Sequence, residues 1–255
     1  MYDLSIAIVT YNNERVIEKC LTSIIHHLTG KLSYKIFVID NSSYDQTVDI
    51  VKKVSSDIIL LKNTDNKGFG TAHNQIMDSL DSRYHIVVNP DIVVDNNCIL
   101  EMVEFMDKRS DIGLLSPLTK HPDGRIQYLC KRNPTFTDLF IRLFFPHSFI
   151  KRHSYFEMRN TGYDKEFEIE YATGCFMFFR TKVFNELRGF DEKFFLYLED
   201  ADITRRVNKI SKSVFYPYNY VIHEWQRGSH KQLKLAWIDI QSSMYYFRKW
   251  GFRLF

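Results

Sequence analysis

The chain has 255 residues, 45% of them hydrophobic and 25% charged, with a net charge of +3 at pH 7. That balance fits a folded globular protein and excludes wholesale disorder, collagen-like repeats and low-complexity classes. So small a net charge gives no ground for nucleic-acid binding. Four scattered cysteines with no C-x-x-C pair exclude a zinc ribbon and a disulfide scaffold, and reduced thiols are expected. No run approaches the ~20 apolar residues that cross a bilayer, and the first residues lack the pattern of a secretory signal. A cytoplasmic chain is expected.

The first half alternates two periodicities. Residues 4–9 read as a buried strand and 14–27 as an amphipathic helix. A strand at 35–39, a helix at 46–54 and a strand at 58–61 follow. Helical spacing returns over 70–80, then a strand at 85–88, a helix at 99–108 and a strand at 112–116. Strands alternating with helices predict βαβ units and a mostly parallel sheet. Right-handed crossovers then bring the strand C-termini to one edge, where ligands of open α/β sheets bind. The second half is less regular. A turn at 121–124 suggests a hairpin, and 131–153 carries apolar residues at helical spacing. Strands are expected at 168–172, 175–180 and 214–222, and helices at 200–209 and 231–250.

Polar residues of the first half fall at the predicted strand exits. They are Thr10-Tyr11-Asn12-Asn13, Asp40, Asn66-Lys67-Gly68-Phe69-Gly70 and Asn89-Pro90-Asp91. An aromatic for a base, a carboxylate for a base N–H or ribose hydroxyl, and a second carboxylate for a metal suit a nucleotide. Turn-making explains any one exit as well, but four in register point to a ligand. Asp91 lies between two apolar runs, where an unpaired carboxylate is costly. A Mg²⁺ or Mn²⁺ ion completed by phosphates would resolve that cost; so would an Asp capping the turn before Asn96-Asn97. The third glycine of a dinucleotide loop would fall at His73, and there is no Walker Gly-Lys-Ser/Thr.

Two further constellations lie in the second half. Glu199-Asp200-Ala201-Asp202 follows an aromatic-rich apolar stretch. As helix caps these acids are ordinary; with apolar walls, one of them would serve as a general base. Composition does not separate the two readings. Ile222-His223-Glu224-Trp225-Gln226-Arg227-Gly228-Ser229 ends a strand-like run, and a lone histidine there is more often structural.

Together these motifs resemble glycosyltransferase family 2, inverting enzymes of GT-A fold, over about residues 1–250. Ile8-Val9-Thr10-Tyr11-Asn12 and Val38-Ile39-Asp40-Asn41-Ser42-Ser43 resemble the family's first two strand signatures. Asn66-Lys67-Gly68-Phe69-Gly70 with Asn74 resembles a subgroup pattern, and Asn89-Pro90-Asp91 stands at the Asp-x-Asp position. Thr173-Gly174-Cys175 and the run from Gly189-Phe190-Asp191 to Asp202 resemble its acceptor-side and Glu-Asp motifs. The pattern is most similar to that of bacterial rhamnosyltransferases of surface polysaccharide synthesis, such as O-antigen or capsule.

The resemblance implies one GT-A domain over 1–255: a Rossmann-like, mostly parallel central sheet flanked by helices, with a smaller acceptor-side subregion. Residues 1–118 would bind the nucleotide sugar, and 119–255 the acceptor and the catalytic group. It implies that Tyr11 and Asp40 hold the base with Thr10 nearby, and that Asn66 and Gly68 line the pocket. Asp91, beside Asn89, would bind the divalent cation bridging the diphosphate, with His223 a second metal contact. Asp200 would be the base, supported by Glu199 and Asp202. Asn89 in place of the first Asp leaves the metal site one charge short.

The implied reaction is inverting hexosyl transfer, L-rhamnose from dTDP-L-rhamnose in the favoured form, to a saccharide or a polyprenyl-diphosphate-linked acceptor. A UDP-hexose or UDP-HexNAc donor, or a non-catalytic nucleotide-sugar-binding assembly protein, are the alternatives. Over 131–153 five cations stand against Asp138 alone, and 241–255 carries three cations and no acid. Basic amphipathic segments lie on anionic membranes, so contact with the inner face of the cell membrane is expected; core packing or a dimer interface would also use such faces.

Overall fold

The structure, a computed structural model, describes residues 1–145, 147–224 and 233–255. In chain order the first half runs β1 (Tyr2–Thr10), α1 (Ile17–Leu28), β2 (Tyr34–Asp40), α2 (Thr47–Val54), β3 (Ile59–Lys62), α3 (Phe69–Asn74), β4 (Ser82–Val88), β5 (Ile92–Val93), α4 (Cys98–Lys108) and β6 (Ile112–Lys120). The second half runs β7 (Ile126–Gln127), β8 (Cys130–Lys131), α5 (Phe136–Phe144), α6 (Ile150–Phe156), β9 (Tyr171–Ala172), β10 (Phe176–Arg180), α7 (Thr181–Glu186), α8 (Glu199–Val207), β11 (Lys212–His223) and α9 (Leu233–Trp250).

The central sheet has the order β3-β2-β1-β4-β10-β6-β11-β5, with β7 against β6. Strands β3, β2, β1 and β4 pair in parallel, as the βαβ alternation predicts. Strands β6 and β11 also pair in parallel, so the sheet is mostly parallel, as expected, with shorter antiparallel pairings added to it. Strand β10 inserts antiparallel between β4 and β6, and β5 and β7 also pair antiparallel. The insertion brings a strand from the second half into the middle of the sheet. Because β10 runs backwards, its entry, Gly174-Cys175, arrives at the edge where β1, β2 and β4 end.

Strands buried on both faces read as apolar runs, and their alternation divides the core. Ile6, Ile8, Ile36, Val38, Ile86 and Val88 face one layer, which α1 and α4 close with Leu21, Ile24, Met102 and Met106. Ala7, Phe37 and Ile39 face the other side with Ala72 and Ile76, and Val87 and Phe179 pack there with Phe184 and Phe190. Each fully buried large side chain contributes about 1.5–3 kcal/mol relative to exposure. All four cysteines are buried and unpaired with one another.

Three local differences from the sequence reading have physical causes. The helix expected over 70–80 stops at Asn74, whose amide clamps the backbone N–H and C=O of Phe190 at 2.9 and 2.8 Å. A 3-10 turn at Met77–Ser79 follows. The amphipathic stretch 131–153 forms two helices. Thr135 and Asp138 form a reciprocal capping box at the start of α5, and Phe149 enters α6 in the left-handed region. The strand expected over 168–172 is confined to Tyr171–Ala172, paired with β8 apart from the main sheet.

Candidate active site

At the exit of β1, Thr10 is fully buried and its hydroxyl donates to Asp40 Oδ1 at 3.0 Å. Asp40 is 2% exposed, and its Oδ2 accepts from the Ser43 N–H at 3.0 Å. Thr10 thus orients Asp40, which keeps further lone pairs for a ligand donor. Tyr11 is 47% exposed and meets Tyr44 edge-on with ring centroids 6.4 Å apart, an open aromatic wall beside the buried carboxylate.

The exit of β3 is built by local polar contacts. Asn66 Oδ1 accepts from the Gly68 N–H at 2.9 Å, and the Asn41 amide donates to the Gly68 carbonyl at 3.0 Å. Gly68 has φ +82°, and a Cβ there would collide with the Phe195 carbonyl oxygen. Only glycine lets the loop seat against the segment that leads to α8. The Phe69 N–H donates to that same carbonyl at 3.0 Å.

At the exit of β4, Asn89 is half-buried and its N–H donates to the Cys175 carbonyl at 2.8 Å. Three residues on, β5 pairs with the end of β11, and His223 stands opposite Ile92. This register brings His223 Nε2 to 3.4 Å from Asp91 Oδ1. Gln127 on β7 orients the ring. Its Nε2 donates to the His223 carbonyl at 2.8 Å, so its Oε1 is the acceptor 2.8 Å from Nδ1. Nδ1 therefore carries the hydrogen, and in the neutral ring the Nε2 lone pair faces Asp91. A carboxylate and an imidazole lone pair at that spacing are a donor set that suits a Mg²⁺ or Mn²⁺ ion. Among the described residues no group of three His, Cys, Asp or Glu forms a complete site. Residues 225–229 of the His223 motif lie outside the described residues.

Gly174-Cys175 separates this pair from the second cluster. The charges of both Asp91 and Asp200 add to burial in raising the Cys175 thiol. Asp200 Oδ2 accepts from the Gly174 N–H at 2.9 Å. Its Oδ1 accepts from the Ala201 N–H at 2.9 Å, in the first turn of α8. Two residues in the left-handed region, Tyr197 and Leu198, deliver the chain into that helix. Such backbone costs about 1–3 kcal/mol per residue and clusters at functional sites.

Burial raises the Asp200 carboxyl above its ordinary range, opposed by Lys131, the two N–H donors and the Tyr171 hydroxyl. Glu199 is pushed well up, by burial first and then by the Asp200 charge. Its Oε2 is buried with no hydrogen-bond partner among the described residues. The pair therefore holds a proton on Glu199 and its charge on Asp200, where the stabilising donors are.

Asp202 takes a different part from the support expected of it. It is fully buried and accepts from Arg206 Nε at 2.8 Å, Trp250 Nε1 at 2.8 Å and Lys249 Nζ at 2.7 Å. This clasp ties α8 to α9. Lys131, Tyr171 and Gln127 were not singled out as site residues in the sequence. Lys131 lies 4.9 Å over the Tyr171 ring and beside Asp200; its only sequence signal is a cation in a basic stretch. Nothing in the sequence around Gln127 marks it.

The sequence of this chain matches the Glycosyl transferase family 2 model over residues 5–188. It is 25% identical over 236 residues to the N-acetylglucosaminyl-diphospho-decaprenol L-rhamnosyltransferase of Mycobacterium tuberculosis, covering 86% of this chain and 75% of that one. It is 23% identical over 229 residues to the rhamnosyltransferase WbbL of Escherichia coli, covering 86% and 82%. In fold it is similar to S. aureus TarS 1-349, with TM-score 0.61 and 16% identity over 87% of this chain and 60% of that one. It is also similar to the mannosyltransferase PcManGT of Pyrobaculum calidifontis solved with GDP-Man and Mn²⁺, with TM-score 0.66 and 13% identity over 97% and 64%. The chain thus spans less than two thirds of either solved neighbour. The mixed sheet with its antiparallel β10 is the GT-A fold, and the chain belongs to glycosyl transferase family 2.

Proposed function

We propose that the chain is an inverting glycosyltransferase that moves L-rhamnose from dTDP-L-rhamnose to a saccharide on a polyprenyl diphosphate, in bacterial cell-surface polysaccharide synthesis. The observation that carries the transfer reading is the arrangement about Cys175. The Cys175 carbonyl accepts from the Asn89 N–H, two residues before Asp91 and its partner His223, and the adjoining Gly174 N–H donates to the Asp200 carboxylate. An inverting displacement needs one partner for the leaving group and another for the attacking hydroxyl, and these two groups meet at Gly174-Cys175.

The nucleoside would lie along Tyr11, Asp40, Asn66 and Gly68, with its diphosphate toward Asn89 and Asp91. Asp91 and His223 would hold the divalent cation, which when bound offsets charge on the departing diphosphate. Asp200 takes the proton of the acceptor hydroxyl as its oxygen attacks the anomeric carbon and the C–O bond to the diphosphate breaks. Glu199, protonated, keeps the charge localised on Asp200. Fixed N–H donors and a buried carboxylate supply orientation and preorganised electrostatics, which carry most of the acceleration in such reactions.

The sugar and acceptor are supported by the relatives, two of which are named rhamnosyltransferases and one of which names a diphospho-decaprenol. No described helix is long and apolar enough to cross a membrane. Exposed Phe136, Phe140 and Phe144 on the basic stretch support contact with the inner face of the cell membrane by a cytoplasmic enzyme.

Melting the purified protein with UDP, dTDP and GDP, each with and without Mn²⁺, tests this reading, since a ligand of the folded state raises Tm. A dTDP-selective, Mn²⁺-dependent rise is expected. A UDP-selective rise would keep the transferase and overturn the rhamnosyl donor, and no rise with any nucleotide would overturn the pocket.

A further inference from the structure

One apolar feature is not used by the nucleotide half. Helices α5 and α9 diverge to leave a groove of about 350 Å³, within the ~300–1,000 Å³ of ordinary ligand pockets. Phe140, Phe144, Ile240, Met244, Phe247 and Phe252 line it. Phe140 and Phe144 are 43% and 57% exposed, and Met244 is 68% exposed. Phe136, Phe140 and Phe144 follow one another on α5 as ring-to-ring contacts, so their exposed surface is contiguous, not scattered.

The groove has a polar inner end. Asp239 lines it there and accepts from Arg142 Nη2 at 2.9 Å. Arg142 reaches Asp200 and Tyr171 through its charge, and Asp239 acts on Glu199. Ser242 of α9 donates to the Leu196 carbonyl at 2.7 Å, seating the helix on the segment before Glu199. The groove's polar residue, Asp239, thus holds Arg142, and its helix is fastened to the segment that leads into the Glu199–Asp200 pair.

Its surroundings are cationic. Arg248 and Arg253 are exposed on the α9 side and Lys151 on α6, while Lys249 is held by Asp202 and Arg152 by Asp138. Two copies of such a face would repel each other, whereas an anionic lipid would be attracted.

We propose that this groove holds the first isoprene units of a polyprenyl diphosphate, with the diphosphate at the Arg142 end and the attached saccharide at Asp200. The inference rests on the transferase reading above and names its acceptor subsite. It explains why an apolar groove, not a flat patch, lies against the helix that is fastened to the segment before Glu199. It also explains the chain's excess of aromatics on this side.

The test is isothermal titration of the full chain with farnesyl diphosphate, inorganic diphosphate and, separately, dTDP with Mn²⁺. Farnesyl diphosphate is expected to bind at least ~10-fold more tightly than diphosphate, a fold-change the apolar chain alone must supply. Met244→Glu and Phe140→Ser, both at exposed positions, should remove that increment and leave dTDP binding and Tm unchanged. Equal binding of the two diphosphates overturns the proposal, as does an increment that survives both substitutions. If Met244→Glu abolishes adsorption to phosphatidylglycerol vesicles while farnesyl diphosphate gains nothing, the groove is a bilayer contact and the proposal fails. A wild-type dimer that Met244→Glu dissociates, again without a farnesyl increment, fails it equally. Farnesyl binding without any nucleotide binding would sink the transferase reading and leave the groove standing; the reverse would sink the groove alone.

Discussion

Asp200 and Glu199 adjoin in sequence yet their surroundings divide the work between them. Asp200 has two N–H donors, Tyr171 and Lys131 to favour its charge, and Glu199 has burial and a like charge to disfavour its own. Asp200→Asn should lower kcat/KM by about 10²–10⁴-fold, the usual worth of a positioned base, and leave dTDP titration unchanged. Because burial lifts Asp200, the acidic limb of the kcat/KM profile should lie above the ~3.9 of a free aspartate. Glu199 predicts a stability effect. Its native carboxyl holds a proton to higher pH than the ~4.3 of the unfolded chain. The native state therefore binds more protons through that window, and stability falls as pH rises toward the raised native value. Glu199→Gln should abolish this loss, raising stability at pH 8 by about 1–2 kcal/mol, while the two proteins converge near pH ~4. Thermal melts across that range would show it. Gln127 sets the tautomer of His223 from behind. Gln127→Ala should weaken the Mn²⁺ dependence of dTDP binding by about 10-fold, as loss of an outer partner commonly does; an unchanged Mn²⁺ titration would argue against His223 as a ligand.

The short elements matter beyond their length. Helix α8 presents three carboxylates in one turn, and the fold sends them different ways: Asp200 to Gly174, Asp202 to α9. Asp202→Ala would leave Arg206 and Lys249 without the buried charge that holds them, a loss of about 3–5 kcal/mol readable by urea denaturation. In native conditions the variant should still bind dTDP, which separates the clasp from catalysis. The loop before α3 depends on Gly68. Gly68→Ala adds strain at positive φ and a clash with the Phe195 carbonyl, so it should displace the segment carrying Tyr197 and Leu198. Activity should then fall by more than stability, which paired kinetics and denaturation would reveal. The strand β5, two residues long, is what turns Asp91 toward His223.

Across the molecule the site is assembled from distant parts of the chain. Asp40, Asp91, Gly174, Asp200 and His223 come to one region because the parallel strands end there and β10 begins there. The cationic and aromatic surface of α5 and α9 gives this region a second boundary. Adsorption of the protein to phosphatidylglycerol vesicles should exceed that to phosphatidylcholine and fall steeply between about 0.1 and 1 M salt, roughly as a Debye length shrinking from ~10 Å toward ~3 Å requires. Co-sedimentation measures it, and salt-independent adsorption would show that charge plays no part.

Much of this was legible from residue order. The runs of β1, β2 and β4 announce themselves because strands buried on both faces are predominantly apolar, and the exits follow because turns favour Asn, Asp and Gly. The acidic run at Glu199 and the motif at His223 stand out because charge and imidazole interrupt apolar stretches. What residue order could not decide is direction and neighbourhood. Whether Asp202 or Asp200 faces the site depends on α9 packing against α8, through Trp250, 48 residues on from Asp202. Whether His223 meets Asp91 depends on the β5–β11 register, and its tautomer depends on Gln127, almost a hundred residues earlier. The antiparallel sense of β10 was hidden for the same reason. A strand's apolar pattern records that it is buried on both faces; its partners and their direction are chosen only when the rest of the sheet is present to supply hydrogen bonds.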